Sequence, residues 1–80
     1  MWYLYILRLS DNSLYTGITT DVERRLEEHR EGEGSKYVRS RLPCDLVYRE
    51  KHEDRSSALK KEAEIKKMSK EGKEELVGSS

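Results

Sequence analysis

Residues 2–19 read WYLYILRLSDNSLYTGIT, two runs of aromatic and β-branched residues split by SDNS. Such runs favour extended backbone, and Ser, Asp and Asn favour a tight reversal, so this stretch predicts an antiparallel hairpin. Successive side chains on a strand point to opposite faces. Tyr3, Tyr5, Leu7 and Leu9 therefore share one side of the first run (2–9), and Ser13, Tyr15 and Gly17 share one side of the second (13–19). The two sides coincide only if opposed residue numbers sum to an even value. A loop centred on Asn12 meets that condition, whereas a two-residue Asp11-Asn12 turn puts Tyr5 and Tyr15 on opposite faces. The expectation is the first register, with Gly17 leaving an open spot beside the tyrosines.

A third run, DLVYREK (45–51), follows Pro43 and again suits a strand. Between the second and third runs, DVERRLEEHREG predicts a helix with Asp21 as its N-cap and Gly32 at its end. SKYVRSRLP (35–43) is a basic connector with one tyrosine. DRSSALKKEAEIKKMSKEG (54–72) predicts a longer helix, from Asp54 or Ser56 to Gly72, and KEELV adds a last helical turn. The order β-β-α-β-α(-α) is that of an α+β fold, a hairpin and a third strand covered by helices. A single domain over residues 1–77 is expected, with a flexible tail at 78–80.

Composition narrows the function. An 80-residue chain has a small core and no room for a deep cofactor fold. Lys+Arg and Asp+Glu are 16 each, so no global charge draws the chain to nucleic acid or membrane, and phosphate binding must come from local placement. Cys44, the single cysteine, excludes an internal disulfide and a multi-cysteine metal site. MWYLYILRLS meets Arg8 too soon for a membrane span and lacks the marks of a signal peptide, so the cytoplasm is expected.

The helices carry polar groups where apolar ones belong. On a helical wheel, Val22, Arg25, Leu26 and His29 share an arc of about 100°, the width of a core-facing stripe. Arg24 falls on the opposite side among Glu27, Glu28 and Glu31. Arg24 thus belongs to solvent, while Arg25 and His29, at i and i+4, face the sheet. In the longer helix, Ala58, Ile65, Leu59 and Ala63 form an apolar arc that also holds Glu62 and Lys66. A carboxylate there is costly unless paired, metal-bound or wet. Either Arg25 or Lys66 neutralises Glu62, or the face lines a wet cleft. Trp2 is expected as a core anchor and His52 as a surface residue.

Tyr3-Leu4-Tyr5, then Tyr15-Thr16-Gly17, then Arg25, His29 and Glu62 in that order resemble the GIY-YIG nuclease superfamily. LYTGITTD, ERRLEEH and ALKKEAEIKKMSK are most similar to its small stand-alone bacterial GIY-YIG domain family, and the likeness runs over roughly residues 2–76. The resemblance implies a three-stranded antiparallel sheet flanked by helices. It implies a metal-dependent endonuclease that cuts DNA phosphodiester bonds, in settings such as repair or recombination. It maps the two catalytic tyrosines to Tyr5 and Tyr15, the arginine to Arg25, the histidine to His29 and the metal-binding glutamate to Glu62. The chain departs from the pattern at Tyr3, where relatives carry glycine, and at Ile18, where many carry lysine. Many relatives also have an asparagine near the domain end, whereas the only one here is Asn12.

A single carboxylate with waters and a substrate phosphate suits Mg²⁺ or Mn²⁺. The planar donors of Arg25 match a non-bridging phosphate oxygen. Tyr5, Tyr15 and His29 compete for the base: a free tyrosine has a pKa near 10 and a histidine near 6.5. One tyrosine is expected to position or activate the water, with His29 taking the proton directly or through that tyrosine. Lys36, Arg39 and Arg41 can touch phosphates while Tyr37 stacks on a base, and Lys66 extends the basic surface. With zero net charge, intrinsic affinity should be weak, targeting by branched or nicked DNA or by a protein partner. The alternative reading is a catalytically weak or inactive nucleic-acid- or protein-binding module on the same fold.

Overall fold

In the computed structural model, which describes residues 1–78, the hairpin consists of β1 (Trp2–Arg8) and β2 (Leu14–Thr19). Tyr3 pairs with Thr19, Tyr5 with Gly17 and Leu7 with Tyr15, so opposed numbers sum to an even value and Tyr5 and Tyr15 share a face. The loop is centred on Asp11, one residue before the expected Asn12. The Asn12 amide donates to Leu9 O at 2.9 Å and Leu9 N donates to Ser13 O at 2.9 Å, closing a three-residue loop. Asn12 takes the left-handed conformation (φ 68°) that such loops need at their last position. Moving the centre by a whole residue preserves parity, and Asp11 decides it by accepting hydrogen bonds from Ser13 N and Oγ at 3.1 and 2.6 Å.

The chain continues through α1 (Val22–Arg30), α2 (Lys36–Arg39), β3 (Asp45–His52), α3 (Arg55–Lys66) and α4 (Lys70–Gly78). The sheet order is β2-β1-β3, antiparallel throughout, with a bulge in β3 opposite Ile6 and Leu7. The β1 strand is central and buried on both faces. Tyr5, Leu7 and Leu9 pack with Leu26, Val38 and Cys44 under α1 and α2. Leu4 and Ile6 pack with Ile65, Leu76 and Val77 under α3 and α4. The result is a three-layer α+β domain. Among the described residues no helix is long and apolar enough to cross a membrane.

The helix ends follow local chemistry. Asp21 caps α1 by accepting from Arg24 N at 3.0 Å. Gly32 (φ 85°) closes it, with Gly32 N on His29 O and Glu33 N on Glu28 O at 3.0 and 2.8 Å. The connector contains one helical turn, α2, whose Val38 is buried. The longer helix does not reach Gly72: α3 ends at Lys66, and Ser69 starts α4 by accepting from Gly72 N at 3.1 Å. A serine placed to cap the next turn separates the two helices. Its buried line is Ala58 and Ile65, leaving Leu59 and Ala63 exposed, so the apolar arc is narrower than expected. Arg8 grips Glu74 through two bonds of 2.8 and 2.6 Å and ties α4 to the sheet.

Two smaller expectations are corrected. Trp2 is half-buried outside both core clusters, with the Arg55 guanidinium 5.7 Å from its ring centre. His52 is partnered, by Ser57 Oγ and Glu50 Oε2, each at 2.7 Å. These contacts staple the end of β3 to the first turn of α3. Of the expected flexible tail at 78–80, Gly78 is the last residue of α4, and 79–80 lie outside the described residues.

Candidate active site

The even register places Tyr5 directly opposite Gly17, and the consequence is steric. A Cβ on Gly17 would lie 2.5 Å from the Tyr5 hydroxyl and 2.7 Å from its ring carbon Cζ. The spot beside the tyrosines is therefore not open; the phenol of Tyr5 fills it. Gly17→Ala must displace a buried ring, and we expect a loss of about 1–3 kcal/mol, the usual cost of overpacking. Chemical denaturation reads this, and an unchanged midpoint would show that the ring moves freely.

Beneath Tyr5 lies His29, fully buried by the wheel position that puts it on the inner face of α1. The Tyr5 hydroxyl and His29 Nε2 share a hydrogen bond of 2.9 Å. Tyr15 presents edge-on to the same imidazole, with ring centres 5.5 Å apart. Burial pushes the Tyr5 hydroxyl up to about 12, partly offset by the neighbouring Arg25 guanidinium, with Tyr15 and Glu62 adding to the rise. Tyr5 therefore holds its proton at neutral pH. Burial, then the charge of Arg25, pushes His29 below the usual histidine range, with Glu28 opposing. His29 Nδ1 is the buried side-chain atom left without a partner among the described residues.

A neutral buried histidine links stability to pH. Unfolded, it takes up a proton near pH 6.5; folded, it does so only at lower pH. Its contribution is thus complete above about pH 6.5 and is lost as pH falls through the folded value. Wild type should lose stability as pH falls below about 6.5 more steeply than His29→Gln, measured by denaturant melts. Equal slopes would assign the acid sensitivity to other groups.

Arg25 stands between the buried pair and solvent, with its side chain 30% exposed. Its Nη1 donates to Glu28 Oε1 at 3.1 Å and its Nη2 to Gly34 O at 3.3 Å. Gly34 (φ 89°) lets the guanidinium rest on the backbone, since a Cβ there would lie 3.2 Å from Arg25 Cζ. Arg24 is exposed on the outer face. The partner of Arg25 is thus Glu28 on its own helix, not Glu62.

Glu62 is neutralised by Lys66, at 3.4 Å on the next turn. Its side chain is 18% exposed and its charge reaches the Tyr5 hydroxyl. Among the described residues no cluster of three or more His, Cys, Asp or Glu could cage a metal. A tightly chelated ion does not fit such a donor set. A hard cation that keeps most of its waters and takes one carboxylate does, because Lys66 holds Glu62 only at the long edge of ion-pair distance.

At the rim, Tyr37 is 43% exposed and stacks on Tyr15, with ring centres 6.2 Å apart and planes 24° from parallel. The Arg41 guanidinium lies 3.8 Å from the centre of the Tyr37 ring. Arg41 is not the unpaired cation its sequence neighbours suggest: Nε donates to Asp11 Oδ2 at 3.0 Å across the hairpin loop. Lys36 and Arg39 are exposed and, among the described residues, in no ion pair. Sequence reasoning missed Glu28, Gly34 and Asp11. Only Gly34, in a Gly-Glu-Gly stretch, carried a local signal for a special backbone.

A model of the GIY-YIG catalytic domain matches residues 1–75. The chain is 55% identical over 75 residues to a UPF0213 protein of Haloquadratum walsbyi, covering 94% of this chain and 84% of that protein. It is 49% identical over 76 residues to the UPF0213 protein YhbQ of Escherichia coli, covering 95% and 76%. The solution NMR structure of a UPF0213 protein from Bacillus halodurans aligns with a TM-score of 0.66 at 43% identity, covering 100% of this chain and 86% of that one.

Proposed function

We propose, from the premise that this chain belongs to the GIY-YIG catalytic domain family, that it is a metal-dependent endonuclease hydrolysing DNA phosphodiester bonds. The observation that carries the reading is the 2.9 Å bond between the Tyr5 hydroxyl and buried His29, beside Arg25 and within the field of Glu62. A neutral acceptor sealed behind a phenol serves proton transfer better than it serves packing, where its unpaired Nδ1 is a cost.

In this mechanism Arg25 exchanges Glu28 for a non-bridging phosphate oxygen and stabilises charge as it develops. The water proton passes to the Tyr5 oxygen while the Tyr5 proton passes to His29 Nε2. His29 is fully buried and Tyr5 keeps 2% of its surface, so the phenol is the member of the pair placed to meet a water, which supports the path through Tyr5. Tyr15 packs against His29 and positions the imidazole. Glu62 would hold Mg²⁺ or Mn²⁺, which supplies charge neutralisation at the phosphate. Lys36, Arg39 and Lys66 contact the DNA backbone, while Tyr37 and Arg41 face the substrate. Zero net charge makes intrinsic affinity weak, so targeting rests on a branch, nick or protein partner, in a cytoplasmic repair or recombination role.

A nicking assay on plasmid and branched DNA with Mg²⁺ and Mn²⁺ tests the proposal. Cutting should need the metal and fall by about a hundredfold in Glu62→Ala. Equal activity in both proteins would trace cutting to a contaminant. No cutting with DNA binding intact would leave the inactive binding module.

A further inference from the structure

We infer that Arg41 and Tyr37 form a preassembled plate for an unpaired nucleobase, so that the substrate is DNA with an extruded or single-stranded nucleotide beside the cut phosphate. This inference rests on the nuclease reading above. It begins with Tyr37, whose α2 turn needs only Val38 for its packing, yet which keeps a large aromatic ring 43% exposed. The ring is not loose. It stacks on Tyr15, which stands edge-on to His29, so the plate lies one ring away from the proposed proton path.

Arg41 completes it. Its guanidinium carbon sits over the Tyr37 ring, 3.8 Å from the ring centre. Asp11 takes its Nε at 3.0 Å, and Tyr37 O and Ser40 Oγ take its Nη1 at 3.2 and 2.9 Å. With its charge paired by Asp11 and three of its five N–H donors in use, this guanidinium is a weaker phosphate ligand than the side chains of Lys36 and Arg39, unpaired among the described residues. What it still offers is a fixed planar surface, and Arg planes and aromatic rings are what unstacked bases settle on. Lys36 and Arg39, on the same turn, keep free charge for the backbone. By sequence, Lys36, Arg39 and Arg41 are phosphate contacts around a stacking Tyr37; the geometry moves Arg41 to join Tyr37 in reading a base. In an intact duplex each base is already stacked and paired, so only an unpaired nucleotide can use the plate.

Fluorescence anisotropy with the full chain in EDTA, where nothing is cut, separates this from the chemistry. The probes are a labelled duplex, the same duplex with a one-nucleotide bulge, and that bulge made abasic. Wild type should bind the bulge about tenfold more tightly than the duplex, and the abasic bulge should lose the gain. Arg41→Lys keeps the charge but not the plane and should abolish the preference, as should Tyr37→Leu, each bringing bulge affinity down to that variant's own duplex affinity. Lys36→Ala should weaken all three probes alike. Equal binding of bulge and duplex by wild type, or a preference surviving in Arg41→Lys or on the abasic probe, overturns the inference while leaving metal-dependent nicking as a separate result. Failure to bind any DNA overturns both.

Discussion

Arg25→Ala should lower the nicking rate by about a thousandfold, the upper range for removing one donor aimed at developing charge, while Arg24→Ala stays within about twofold of wild type. The two residues are identical, adjacent and on one helix, so net charge and helix propensity cancel between the variants. Only direction differs: Arg25 reaches inward to Gly34 and the Tyr5 phenol, and Arg24 is exposed. The contrast is therefore a test of placement. Arg25→Lys should recover little, because a point charge cannot make the paired contacts of a planar fork. Equal loss in Arg24→Ala and Arg25→Ala would mean that both act only through overall DNA attraction, and the assigned site would fall.

Ile6→Ala should remove most of the domain's stability. Ile6 is fully buried at the centre of β1, between Tyr48 on one side and Thr16 on the other, and packs with Leu4 and Ile65. Emptying such a site costs about 2–5 kcal/mol, against a total of about 5 kcal/mol at the lower end for small domains. Each kcal/mol moves Tm by about 4–8 °C at this size, so a fall of about 8 °C at the least, and up to about 40 °C, is expected in a thermal melt. Leu59→Ala, at a position 37% exposed, should shift Tm by only a few degrees. A comparable drop in both would show that α3 packs on its Leu59 side.

Much of this was legible in the residues, and the failures have physical causes. The helix caps at Asp21 and Gly32 are local, set by one side chain and one φ value, and appear where the pattern puts them. The break at Ser69 was missed because a long lysine-rich run has high helix propensity throughout, and one capping serine weighs little against it. Leu59 and Ala63 fit an apolar arc on the wheel. Yet the wheel cannot say where on that arc the sheet will lie.

Apart from the helical turn α2, which the sequence reads as a connector, the order of elements, the shared face of Tyr5 and Tyr15, and the opposite outlook of Arg24 and Arg25 were determined by the sequence alone. They follow from the repeats of strand and helix, which relate neighbours along the chain. Other features were decided only by the tertiary structure. Tyr5 fills the space over Gly17, His29 is sealed behind it, and Asp11 reaches Arg41 across the hairpin loop. Each is a distance between elements far apart in sequence, and periodicity carries no information about how far apart two packed elements sit.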